Sequence, residues 1–211
     1  MAATLLAVIT GDVIHSRSVP VTRWLPILKN ELAQFGTSPK NWEIYRGDSF
    51  QVELKHPHQA LKKGMQLKAA LKRIKGVDAR LAIGIGTKAH AAQKVTESNG
   101  TAFIHSGELA EVLKKRKLTM AIRTSQPELD EEINVALGLA ETILNRWTTL
   151  ASETVYMRLS QPDLLQEKLA KKLKIKQNAV SGRLSRASFY EIEALLALFE
   201  KKINQYHDSL H

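Results

Sequence analysis

An α/β domain followed by an all-α domain is what this chain predicts, and three observations carry the prediction. Up to residue 124, short runs of apolar and β-branched residues alternate with runs of helical spacing; beyond it the strand-like runs stop. Charge divides at nearly the same place: residues 1–125 hold 20 Lys and Arg against 9 Asp and Glu, and residues 126–211 hold 11 against 12. At 211 residues and 44% hydrophobic content the chain can bury one large core or two smaller ones. Residues 1–124 are therefore expected to form an α/β domain, and residues 125–211 an all-α domain.

The elements follow in order. "TLLAVITGDVI" (4–14) is apolar and β-branched and stops at polar "HSRS", which predicts a buried first strand. "VTRWLPILKNELAQF" (21–35) has helical spacing, with Pro26 expected within its first turns, where a missing N–H does least harm. "NWEIYR" and "SFQVEL" form a hairpin around Gly47-Asp48, since Gly and Asp favour tight turns. "HQALKKGMQLKAALKRI" (58–74) predicts an amphipathic helix with its lysines outside. "VDARLAIGIGT" (77–87) is a strand, "TAFIHSGELAEVLKK" (101–115) a helix and "KLTMAIRT" (117–124) a strand. The expected order is β-α-β-β-α-β-α-β, with helices packed on one sheet. Basic "KKRK" (114–117) suits a helix C-terminus, where cations meet the dipole. "ESNG" (97–100) is expected as a loop near the end of the sheet.

In the second half, "SQPELDEE" (125–132) and "SQPDLLQE" (160–167) each place Pro after a Ser and an acid three residues on from it, Ser125 with Glu128 and Ser160 with Asp163. That pattern predicts two capped helix starts. "QEKLAKKLKIKQNAVSGRLSRASF" (166–189) is the most specific stretch. Leu169, Ala170 and Leu173 line one short helix, Ile175 sits in a turn, and Val180 and Leu184 face back from a second helix. This spacing predicts a helix-turn-helix, with small Ala170 allowing the helices to cross closely. The second helix would present Gln177, Asn178, Ser181, Arg183 and Arg186 to double-stranded DNA, since Gln, Asn and Arg bond base edges. Lys174 stands where many such turns have Gly. Residues 163–189 hold 7 basic and 2 acidic residues inside an otherwise acidic half. In "SFYEIEALLALFEKKINQY" (188–206) the stripe Ile192, Leu195, Leu196, Phe199 and Ile203 either builds a homodimer or closes the chain's own core.

In the first half, Asp12 ends the first strand and Asp48 tips the hairpin. If those strands are neighbours, the two carboxylates meet at one end of the sheet, where they could hold Mg²⁺ or Mn²⁺ and through it a nucleotide's phosphates. Gly11 and Gly47 would let a ligand approach the backbone, and Arg17 and Arg46 would meet phosphate. Turn chemistry alone also accounts for both aspartates. The seven histidines lack metal-ligand spacing, so zinc is not expected. Gly84-Ile85-Gly86 is too short for a dinucleotide fingerprint, so neither NAD nor flavin is expected. The chain has no cysteine, hence no disulfide or thiolate site, which fits a cytoplasmic location. The apolar "MAATLLAVIT" has no basic segment before it and no run reaches membrane-spanning length. The net charge of +10 favours a polyanionic partner.

"GDVIHSR", "RGDSFQ" and "ARLAIGIGT" give residues 4–124 a resemblance to the class III nucleotide cyclases and GGDEF diguanylate cyclases. There a metal-binding acid follows strand 1, and another sits in the β2–β3 hairpin. The resemblance implies a cyclase-like fold with Asp12 and Asp48 as metal ligands. Ile44 departs from the polar residue with which cyclases choose their base, and "NGTAFIHSGELAEVL" has no clear counterpart of their catalytic Asn and Arg. Taken together, "VITGDVIHSR", "YRGDSFQ", "ARLAIGIG", "SNGTAFIHSG" and "AVSGRLSRA" are similar to the bacterial SatD family. That resemblance implies a cyclase-like domain joined to a helix-turn-helix. Two functions are thus expected: a DNA-binding transcriptional regulator whose first domain senses a nucleotide or metal, or a metal-dependent nucleotide-cyclising or nucleotide-hydrolysing enzyme whose C-terminal helices dimerise.

Overall fold

A computed structural model describes residues 4–210. Five strands, β1 (Leu5–Ile14), β2 (Trp42–Tyr45), β3 (Ser49–Leu54), β4 (Asp78–Thr87) and β5 (Met120–Arg123), form one sheet in the order β2-β3-β1-β4-β5. β1 runs antiparallel to both β3 and β4, while β4 and β5 are parallel. Its odd residues Leu5, Ala7, Ile9 and Val13 pack with α1 (Val21–Leu32) and α2 (Ala60–Lys72). Its even residues Leu6 and Val8 pack with α3 (Thr101–Arg116). Cover on both faces explains why β1 is an almost unbroken apolar run.

Two glycines of β4 bring α3 unusually close. A Cβ on Gly84 would lie 2.2 Å from the Ala102 carbonyl oxygen and 2.4 Å from the Ser106 nitrogen. A Cβ on Gly86 would meet the Thr101 hydroxyl at the same 2.2 Å. The Gly-x-Gly pair is therefore a helix seat, as close packing in a strand requires. Buried beside it, the Thr10 hydroxyl donates to the Ser106 hydroxyl at 3.0 Å.

After Arg123 no strand follows in the described residues. The chain continues as α4 (Pro127–Leu144), α5 (Thr149–Ser160), α6 (Gln166–Leu173), α7 (Gln177–Arg186) and α8 (Phe189–Asp208). The composition boundary near residue 125 is not a break in packing, because one apolar core runs continuously from Leu5 to Tyr206. α5 packs along α2, and α4 packs against β5.

That packing changes α2. The sequence predicts lysines on its outer face, yet Lys68 is fully buried. Covered by the sheet on one side and α5 on the other, α2 has no outer face at that position. The Lys68 ammonium instead bonds the Asp78 carboxylate at 2.7 Å, the Ala79 carbonyl at 2.9 Å and the Thr119 hydroxyl at 3.1 Å.

Pro26 is the sixth residue of α1, in its second turn and past the positions whose N–H has no helical partner. Thr22, whose carbonyl loses its i+4 donor there, is exposed, so water can replace the bond. Ser125 does not cap α4: Gln126 holds the cap position without a side-chain bond. Ser160 ends α5 instead of starting a helix, its hydroxyl donating to the Tyr156 carbonyl at 2.7 Å. At 125 the Ser-Gln-Pro signal does mark a helix start, with Pro127 first in α4, whereas at 160 it marks the corner after α5, because Pro excludes the residue before it from helix. Of the two roles left open for the α8 stripe, the fold supplies the internal one: Ile192, Leu195, Leu196, Phe199 and Ile203 are all buried within the chain.

Candidate functional site

The first candidate lies where β1, β3 and β4 end together. Asp12 stands opposite Ser49 on β3 and opposite Arg80 on β4. The neighbouring Val13 N–H donates to the Asp48 carbonyl at 3.1 Å. The two aspartates are therefore brought to the same strand end, as the hairpin and strand order predict. The turn between β2 and β3 places Arg46 (φ 52°) and Gly47 (φ 86°) in left-handed backbone. Gly47 is there for that conformation, since nothing lies within 4 Å of where its Cβ would be. Gly11 has a different reason: a Cβ would come within 2.5 Å of the Phe50 ring. The space beside Gly11 is filled from inside the protein and is closed to a ligand.

Each carboxylate already has a partner. One guanidinium nitrogen of Arg80 donates to both oxygens of Asp12 at 2.9 Å. The Ser16 hydroxyl donates to the Asp48 carboxylate at 2.5 Å. Among the described residues there is no cluster of three or more His, Cys, Asp or Glu suited to a metal ion. A divalent cation held between Asp12 and Asp48 would have to displace the Arg80 guanidinium from Asp12. Arg17 and Arg46 are exposed beside this end of the sheet, Arg17 in the turn after β1 and Arg46 at the hairpin tip. The loop at 88–100 is not beside the aspartates. It follows Thr87, which pairs with Leu5 at the opposite end of β1.

The second candidate is the surface of α6 and α7. α6 ends with Lys174 in left-handed backbone (φ 54°), and Lys176 occupies the cap position of α7. Lys174 thus adopts the conformation for which Gly is usually chosen, at a steric cost that Gly would not have. Lys174→Gly is expected to stabilise the fold by about 0.5–1 kcal/mol, read as a rise in the urea midpoint. Leu169 and Ala170 of α6 and Val180 and Leu184 of α7 are buried, so the two short helices are locked to the core.

Outside that contact, Gln177, Asn178, Ser181, Ser185 and Arg186 of α7 are exposed. Gly182 lets the Arg186 side chain lie along the helix, its guanidinium 3.2 Å from where a Cβ would be. Lys168, Lys171, Lys172, Lys174 and Lys176 flank this face and are exposed as well. Arg183 differs from the other predicted contacts: it turns towards α5, 3.6 Å from the Glu153 carboxylate, with 15% of its side chain exposed. Helical spacing sets it well round the helix from Asn178, on the side flanking buried Val180. Ser185 was legible as the residue one turn after Ser181, but its lack of charge hid it.

The family model described as the SatD family matches residues 5–192, from the start of β1 into α8. The chain belongs to the SatD family. The SatD match takes in both candidates, the strand end at Asp12 and Asp48 and the α6–α7 surface. No curated protein matches this SatD chain. Among the described residues, no helix is long and apolar enough to cross a membrane.

Proposed function

We propose that this SatD family protein is a DNA-binding regulator in which α6, its turn and α7 form a helix-turn-helix with α7 in the major groove. The observation that carries the reading is the exposed face of Gln177, Asn178, Ser181 and Arg186, bordered by five exposed lysines. Lysines beside a groove reader neutralise phosphates and release counterions, while Asn and Gln pair with adenine edges. The short turn and the buried Leu169, Ala170, Val180 and Leu184 hold the two helices as a rigid unit, which groove reading needs. Arg183 serves the fold through Glu153 rather than contacting DNA.

The test is fluorescence anisotropy of labelled duplex DNA titrated across KCl. Binding should weaken steeply with salt, and Lys176→Ala with Arg186→Ala should reduce the log–log slope by about two, close to one for each phosphate no longer neutralised. Absence of binding at low salt would overturn the proposal. The rival reading, metal-dependent nucleotide chemistry of the cyclase type, draws support from the element order and the paired aspartates. The Arg80 clamp on Asp12 weighs against it. A cyclase-like ancestry for the sheet, with its metal chemistry given up, accommodates both observations.

A further inference from the structure

We propose that a cavity of about 610 Å³ beside the end of β1 is a binding site for a small phosphorylated anion, and that its occupancy is transmitted to α7 through Trp147. The link to DNA rests on the helix-turn-helix reading; the anion site does not. The cavity is bordered by His15, Lys72, Lys75, Asn145, Trp147 and Thr149, so the sheet end and the α4–α5 connection both contribute. Its volume suits a nucleotide-sized molecule.

Charge points to an anion. Asp78 also borders the cavity, but its carboxylate is shared by two ammonium groups, Lys68 at 2.7 Å and Lys72 at 3.0 Å. Lys75 is exposed and has no acidic partner among the described residues. The wall of this open groove therefore carries an excess of positive charge. A phosphate would balance that excess and accept hydrogen bonds from Lys75, Asn145 and the Thr149 hydroxyl. Ile14, Ile74 and Val77 supply an apolar wall for the body of the ligand.

The coupling is a direct contact. The buried Trp147 indole N–H donates to the Ala187 carbonyl at 2.9 Å, and Ala187 is the residue that ends α7. Thr148, next along the chain, also borders a second cavity lined by Arg146, Arg183 and Arg186. A ligand that shifts the 145–149 connection would move the C-terminal end of α7 through that bond.

The test uses the full chain and inorganic phosphate, with chloride at equal ionic strength as the control. Phosphate should raise Tm by roughly 2–4 °C over chloride, and Lys75→Glu should remove the rise. No phosphate-specific rise, or one unchanged in Lys75→Glu, would overturn the site. Phosphate should also change the Kd for duplex DNA several-fold, an effect lost in Trp147→Phe, which keeps a ring but not the donor. A change in Kd that persists in Lys75→Glu would mean plain competition for α7 and would overturn the coupling. A Tm rise without any DNA binding would instead sink the DNA reading and leave the anion site standing.

Discussion

Asp78→Ala is expected to destabilise the protein by about 3–5 kcal/mol, because it strands a buried charge. Lys68 is wholly buried; Asp78 is the acid that bonds it directly, and buried Glu141 adds a weaker attraction from further away. The remaining bonds, to the Ala79 carbonyl and the Thr119 hydroxyl, supply no negative charge. At this chain length the loss corresponds to a fall in Tm of roughly 6–20 °C. Lys68→Met should be milder, since Asp78 keeps Lys72 at 3.0 Å and the new side chain still fills the space. Urea denaturation of the two variants decides the matter; equal, small losses would mean that the pair contributes little.

The same cluster sets a pH dependence. Burial alone would raise the Asp78 carboxyl, but the pull of Lys68 and Lys72 outweighs it and holds the group below its ordinary 3.8. In the acid range the folded chain therefore binds fewer protons there than the unfolded chain. The contribution is fully present above pH 3.8 and is lost as pH falls through the lower folded value. Lys68 acts at the other end: burial lowers it below 10.5, so the folded chain gives up that proton first. Its penalty for folding is then relieved as pH rises towards 10.5. Urea midpoints measured against pH should show the acid limb flattened in Asp78→Ala.

Gly84→Ala is expected to cost about 3 kcal/mol, at the upper end of overpacking. The added methyl would meet the Ala102 carbonyl oxygen at 2.2 Å and the Ser106 nitrogen at 2.4 Å, and both atoms are backbone. A side chain could rotate away; a helix backbone must move as a whole. Lifting α3 would also open the buried bond between Thr10 and Ser106 and the packing of Leu6 and Val8 on Phe103. Gly107→Ala, on the same helix with nothing within 4 Å of its Cβ, is the matched control and should be neutral or slightly stabilising. Thermal denaturation that fails to separate the two variants would refute the helix seat.

Local pattern carried much of this molecule. The two short runs around Arg46-Gly47-Asp48 fold as a hairpin, because alternation and a Gly turn act within a few residues. Leu169, Ala170, Val180 and Leu184 announce two short helices sharing one core, and they are buried as the spacing requires. Where a signal depended on a distant neighbour, sequence spacing failed. "SQP" resembles a capping box at 125 and at 160, yet a helix follows directly only at 125, with Gln126 rather than Ser125 at its cap; at 160 it closes α5, and tertiary packing decides which of the two occurs.

The sequence by itself determined the element order up to residue 124, the place of Asp12 and Asp48 at one end of the sheet and the basic outer face around α7, all of which follow from period, turn residues and charge along the chain. Only the tertiary structure decided that Arg80 occupies Asp12, that Arg183 turns to Glu153, that Lys68 is buried and that Trp147 holds the end of α7. Each of these arrangements joins residues that are distant along the chain. Such pairings are set by how whole elements pack, and packing buries a charge or frees a helix face in ways that no local period encodes.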